Sequence, residues 1–188
     1  STAVSEMNQK LYTDGKDYYM VYQESSVGPE ILKSYASAST DAEKDSILKS
    51  IWKNVELHVK KYDTENNKWI DYGKIKTDAA FDYNADIIVN EGQIYVCSAA
   101  NAEGDYFGTG TDKNYINISN CTINDALVTK NWNVKKAAGN LNSVTSLAAG
   151  IKDNKITCVY GVDSDNDFST DEQEIKSYTD GDSQENIS

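Results

Sequence analysis

Three segments of the chain repeat one pattern: an apolar strand, a tight polar turn, then a second apolar strand. The first runs Leu11-Tyr12-Thr13-Asp14-Gly15-Lys16-Asp17-Tyr18-Tyr19-Met20-Val21-Tyr22. The second is Ile87-Ile88-Val89-Asn90-Glu91-Gly92-Gln93-Ile94-Tyr95-Val96-Cys97, and the third extends from Ala149 to Tyr160 around Asp153-Asn154. Asp-Gly, Glu-Gly and Asp-Asn stand where a two-stranded turn needs positive φ, and the flanks are rich in β-branched and aromatic residues. Gly15 and Gly92 are 77 residues apart, and Gly92 and Asn154 are 62 apart. The longer interval contains an insertion that accounts for the difference of 15. Within it, Thr40-Asp41-Ala42-Glu43 reads as a capping box, and Ile47, Leu48, Ile51 and Trp52 follow at helical spacing. The pattern predicts one helix over 41–53, set into an otherwise β repeat of about 60 residues.

Each full repeat adds a second hairpin. Val55-Glu56-Leu57-His58-Val59 alternates strictly, Asp63 to Lys68 forms a polar turn, and Trp69-Ile70-Asp71-Tyr72 returns. The next unit offers Tyr115 to Ser119, then Ala126-Leu127-Val128, a turn near Lys130-Asn131, and Trp132-Asn133-Val134. The third offers Gln173 to Tyr178 before Asp180-Gly181. Trp69 and Trp132 hold equivalent places and are expected to pack between sheets. Four short antiparallel strands per unit is the grammar of propeller blades. The expected fold is all-β: a partial β-propeller of about three four-stranded blades (10–80, 81–140 and 141–181) with a tail over 182–188. Three blades fall short of the 4–8 that close a ring. The chain is therefore expected to be completed by missing blades of the same protein, or by a second copy.

Composition narrows the chemistry. The chain has 188 residues and a net charge of −12; all 18 basic residues are Lys, and His58 is the single histidine. Without Arg there is no bidentate clamp for phosphate or carboxylate, and the negative charge opposes nucleic acid. No apolar run is long enough to insert into a membrane as a helix. Paired-histidine mechanisms and His-rich zinc sites are excluded. Cys97, Cys121 and Cys158 match no zinc or redox spacing. They read as free thiols, with one disulfide plus a free thiol as the alternative. His58 shares the polar face of its strand with Glu56 and Lys60.

Lys61-Tyr62-Asp63 through Lys68-Trp69, together with Ala85-Asp86-Ile87-Ile88-Val89-Asn90-Glu91-Gly92-Gln93-Ile94-Tyr95-Val96, resembles the blades of secreted β-propeller proteins of Gram-positive anaerobes. The resemblance runs from about Lys10 to Gly181 and implies an extracellular or cell-surface protein. The chain departs from the sialidase-type Asp box. Asn66 and Thr64 stand before Trp69 where that motif has Gly and Asp, and the arginines a sialidase needs are missing.

Two candidate sites emerge. Asp163, Asp165, Asp167, Asp171 and Glu174 take positions 1, 3, 5, 9 and 12 of a calcium loop, with Phe168 where such a loop has Gly. A solvated acidic turn is the competing reading. Tyr83 and Tyr106 lie beside acidic turns and are the candidates for stacking on a sugar ring. The leading functional expectation is a non-enzymatic binding or adhesion propeller with a carbohydrate or protein ligand. A propeller glycosidase with paired carboxylates is the alternative, and a purely structural module is the third reading.

Overall fold

The fold follows from the alternation and turn chemistry above. In the computed structural model the described residues are 5–126, 130–165, 173–181 and 185–187. Three four-stranded antiparallel sheets follow one another along the chain. The first holds β1 (Ser5–Thr13), β2 (Tyr18–Ser25), β3 (Val55–Asp63) and β4 (Lys68–Lys74). Between β2 and β3 come α1 (Pro29–Ser37) and α2 (Asp41–Trp52). The second sheet is β5 (Phe81–Asn90), β6 (Gln93–Asn101), β7 (Asn114–Thr122) and β8 (Asn133–Leu141). The third is β9 (Ser143–Lys152), β10 (Lys155–Asp163), β11 (Gln173–Thr179) and β12 (Glu185–Ile187). Strand order within each sheet is sequential, and the first strands touch, β1 beside β5 and β5 beside β9. The sheets therefore stand as adjacent blades around a line of inner strands.

The tight turns occupy one end of the blades. Glu91 and Gly92 have φ of 48° and 73°, and Asp153 and Asn154 have 50° and 60°, the paired positive values that a two-residue hairpin demands. The opposite, long-loop end carries the helical insertion, the 75–80 link and the loop over 102–113. The capping box is complete: Thr40 Oγ1 accepts from the Glu43 amide, and Glu43 accepts from the Thr40 amide. The helix α1 departs from the single-helix expectation. Pro29 at its first turn, after Gly28 and before Glu30, is the start signal that identifies it.

Two cores fill the spaces between blades. Val21, Leu57, Val59, Tyr72, Ile94 and Val96 pack the first blade against the second. Cys97, Ile116, Val144, Cys158, Tyr160 and Val162 pack the second against the third. Each such aliphatic side chain contributes about 1.5–3 kcal/mol on leaving water. The three cysteines are buried and free.

Inner strands need extra twist near the axis, and bulges supply it. Pairing shifts between Met7 and Lys10 and between Tyr83 and Asp86, with Asn8 and Asn84 at φ 53° and 45°. Asn84 Nδ2 donates to the Val144 carbonyl (2.8 Å), and Asp86 Oδ2 accepts from the Ala149 amide (2.8 Å), so the second bulge fastens β5 to β9. Asn84→Ala keeps the strained backbone and removes the inter-blade bond. It is expected to cost about 1–3 kcal/mol, read as a lower urea midpoint at unchanged slope. An unchanged midpoint would show that the bulge does not fasten the blades.

The two tryptophans of the outer hairpins part company. Trp132 does pack between blades, its indole N–H donating to the Tyr72 carbonyl (3.1 Å). Trp69 is 51% exposed and rests on Tyr62 (5.2 Å), because its cross-strand face points away from the second blade. The expected strand Tyr115 to Ser119 falls within β7. Of Ala126-Leu127-Val128, Ala126 lies in a turn, and Leu127 and Val128 fall outside the described residues.

Candidate active site

Between the first two blades, at the long-loop end, a pocket of about 230 Å³ is lined by Val55, Glu56, Leu57, Lys74, Thr77 and Asp82 among others. It exists because β3 and β5 come from different sheets and the 75–80 link must cross from one to the other. Asp82 sits near the start of β5 and is 6% exposed. Ser98 Oγ from β6 (3.1 Å) and Asn117 Nδ2 from β7 (3.4 Å) donate to its Oδ1. Thr77 Oγ1 donates to Oδ2 (2.5 Å), and Gln23 of the first blade donates to its main-chain carbonyl (2.9 Å). Burial pushes the Asp82 carboxyl above its ordinary value, outweighing these hydrogen bonds and the field of Lys74.

Glu56 on β3 moves the other way. Burial raises its carboxyl, but the Lys74 ammonium bonded to it, with His58 beside it, more than offsets this and holds the pKa below the usual range. His58 Nε2 lies 3.6 Å from Glu56 and 3.8 Å from Glu24, and its ring leans on Tyr22 (5.6 Å). One pocket thus carries a carboxyl biased toward the protonated form and another biased toward the ionised form, with Lys74 acting on each. Two carboxyls driven apart in this way are the arrangement from which acid and base roles are drawn in hydrolytic sites.

The sugar-stacking candidates come together, but not as an open platform. Tyr83 is 2% exposed, its ring stacked on Phe81 (5.0 Å, 9°), and its hydroxyl bonds to the Tyr106 carbonyl (3.4 Å). It is a core residue, because Phe81, Tyr106 and Trp52 of α2 close over it. Tyr106 is half-buried against Trp52 and Tyr83, and the exposed ring in this cluster is Phe107. Of the calcium-loop candidates, Asp167 and Asp171 lie outside the described residues. Asp163 is buried at the end of β10, Asp165 is exposed, and the Glu174 carboxylate is 2.8 Å from Lys176. Among the described residues no three His, Cys, Asp or Glu side chains converge as a metal site.

Asp82 was not a sequence candidate. Its position between Phe81 and Tyr83 places it on the polar side of an alternating strand, as though facing water. The first blade, packed on that side, and Thr77 of the 75–80 link bury it.

No protein-family model matches the chain, and no curated protein matches it. Solved structures do. Zg3597, a family 117 glycoside hydrolase of the marine bacterium Zobellia galactanivorans, superposes with a TM-score of 0.55 over 94% of this chain, at 14% identity. The chain is part of a β-propeller. An alpha-L-arabinofuranosidase from Lactobacillus brevis matches over 98% of the chain (TM-score 0.53, 10% identity), and YjhT over 96% (0.51, 11%). The chain spans about half the length of each, 53%, 52% and 55% respectively. At these identities the likeness concerns the fold, and it extends to propellers in general rather than to the Gram-positive surface proteins of the sequence resemblance.

Proposed function

We propose that this chain forms part of a carbohydrate-active β-propeller that cleaves a glycosidic bond, with Asp82 as the acid and Glu56 as its ionised partner. The observation that carries the reading is the pair of carboxyls lining one pocket with opposed protonation tendencies. Two of the similar folds belong to proteins named as glycosidases, which favours this reading over the adhesion module that composition alone suggests. In the proposed reaction, protonated Asp82 gives its proton to the glycosidic oxygen as the bond breaks. The Glu56 carboxylate, held ionised by Lys74, either activates a water or attacks the anomeric carbon. Carboxyl groups about 5 Å apart retain configuration, whereas those roughly 6.5–9.5 Å apart invert it.

The test is release of sugar from arabinan oligosaccharides and from aryl α- and β-glycosides. Glu56 is half-exposed, so Glu56→Gln leaves the fold intact and is expected to lower kcat by about 10²–10⁴. Sugar binding without turnover in the wild-type chain would defeat the hydrolase reading and restore the adhesion reading.

A further inference from the structure

The whole chain is acidic, with 30 acids against 18 lysines. One stretch of its surface inverts that balance. Blades splay apart away from the axis, and the wedge between β4 of the first blade and β8 of the second stays open. Two contiguous cavities of about 430 and 450 Å³ occupy this wedge and share Lys76 and Trp132. Their walls carry Lys76, Lys130 and Lys136, together with Lys74, which is bonded to Glu56, against Asp71 and Asp78.

These ammonium groups are positioned rather than scattered. Lys130 Nζ sits 4.6 Å over the Tyr72 ring and donates to the Asn124 carbonyl. Lys136 Nζ sits 3.9 Å over the Tyr115 ring. Lys76 is exposed and has no carboxylate within ion-pair distance among the described residues. Between them lies Trp132, half-buried, its indole N–H spent on the Tyr72 carbonyl so that the ring is fixed in the groove. A fixed aromatic face with ammonium groups around it suits a sugar ring that bears negative charge. The ring packs on the indole, and the anion meets compact, hydrated lysine charges that require no bidentate geometry. Lys74, bonded to Glu56, lines both the groove and the acid pocket, so the two cavities lie on either side of one side chain.

We propose that this groove binds an anionic oligosaccharide, its charge a uronate carboxylate or a sulfate ester, and delivers it to the acid pocket. The inference rests on the carbohydrate reading above and specifies its substrate class. Calorimetry with hexameric oligogalacturonate, a sulfated galactan hexamer and a neutral galactan hexamer tests it on the full chain. At least one charged hexamer is expected to bind, to quench Trp132 fluorescence, and to weaken as salt rises from about 0.1 M to 1 M and the screening length falls from ~10 Å to ~3 Å. Whichever charged hexamer binds identifies the anion. Lys76→Gln with Lys136→Gln removes two of the groove's charges and is expected to weaken binding roughly tenfold, about 1.4 kcal/mol. Glu56→Gln separates the two claims, because it removes turnover while keeping every lysine of the groove and releasing Lys74 from its carboxylate, so binding of the charged hexamer is expected to persist or strengthen. Equal affinity for the neutral hexamer, no binding of either charged hexamer, or binding unmoved by the double lysine change would overturn the proposal. Charged-hexamer binding with no hydrolysis by the wild type would sustain the groove and defeat only the hydrolase reading.

Discussion

Asp82→Asn is expected to abolish glycoside cleavage while leaving the fold as stable as the wild type, or more so. An amide reproduces the protonated carboxyl almost atom for atom. Its oxygen still accepts from Ser98 and Asn117, and its nitrogen donates to the Thr77 hydroxyl, which serves in either role. What the amide lacks is a transferable proton, so a loss of about 10²–10⁴ in kcat is expected. The stability effect follows from linkage. The folded-state pKa of Asp82 is raised above its ordinary 3.8, so between those two values the folded protein holds a proton that the unfolded chain has released. The stability this group contributes is full below about 3.8 and is lost as pH rises through the folded value. Asparagine cannot ionise, so the Tm of the variant relative to wild type should climb with pH across that window. Asp82→Ala, by contrast, leaves Ser98 and Asn117 without their acceptor and opens a void, a cost of about 2–4 kcal/mol. A variant Asp82→Asn that retains wild-type kcat would remove Asp82 from the reaction. A Tm difference that does not change with pH would show that its carboxyl is ionised in the folded state.

Lys61→Met should produce the largest loss of stability. Lys61 lies on β3, 5% exposed, with its ammonium 3.0 Å from Asp17 and 2.7 Å from Asp125. Asp17 is itself 4% exposed and accepts from the Thr64 amide (3.1 Å), while Asp125 also accepts from the Tyr72 hydroxyl (2.7 Å). The cluster ties the hairpin end of the first blade to the loop that precedes β8 of the second. Methionine fills the space of the lysine stem but leaves two carboxylates facing each other without the ammonium that bridges them. Removing one partner of a buried ion cluster costs about 3–5 kcal/mol, which for a chain of this size corresponds to a Tm lower by roughly 10 °C. Burial lowers the pKa of Lys61, but Asp125 and Asp17 raise it further than burial depresses it. For Asp125, burial raises the carboxyl while Lys61 and Tyr72 bring it below 3.8. Its contribution is therefore present above 3.8 and lost as pH falls through the depressed value, and this acid sensitivity should shrink in Lys61→Met. Adding Asp17→Asn to Lys61→Met should recover part of the loss. A single variant within 2 °C of wild type, on the scale just cited, would mean that the cluster merely tolerates burial.

Those two sites show where sequence reading succeeds and where it stops. Turn residues announce themselves because positive φ is a local demand: Glu91-Gly92 and Asp153-Asn154 are legible without any knowledge of the neighbours. The capping box of α2 is equally local. The start of α1 was also available, in Gly28-Pro29-Glu30 with Ile31, Leu32 and Tyr35 following at helical spacing, but no side-chain cap marks it as Thr40 marks α2. Lys61 and Asp82 belong to another category. Lys61 continues the covered face of Val55, Leu57 and Val59, where alternation foresees an apolar side chain and not a charge. Asp82 stands on the polar side of its strand, which alternation assigns to water in a sheet with one free face. In stacked blades it has no such meaning, because both faces of an inner blade are covered.

The sequence by itself determined the three-unit repeat, the hairpin registers and the blade count, since these depend on period-two alternation and turn chemistry within short stretches. Tertiary structure alone decided which charged groups lie buried and which carboxyls share a pocket. Glu56 and Asp82 are 26 residues apart in the chain and meet only because the 75–80 link folds the second blade onto the first. The same packing separates Trp69 from Trp132. They hold equivalent places in their hairpins, but Trp132 faces the preceding blade in this chain, whereas the side of the first blade that carries Trp69 is uncovered. Burial is a property of the neighbouring sheet, and no local pattern encodes which neighbour a strand will have.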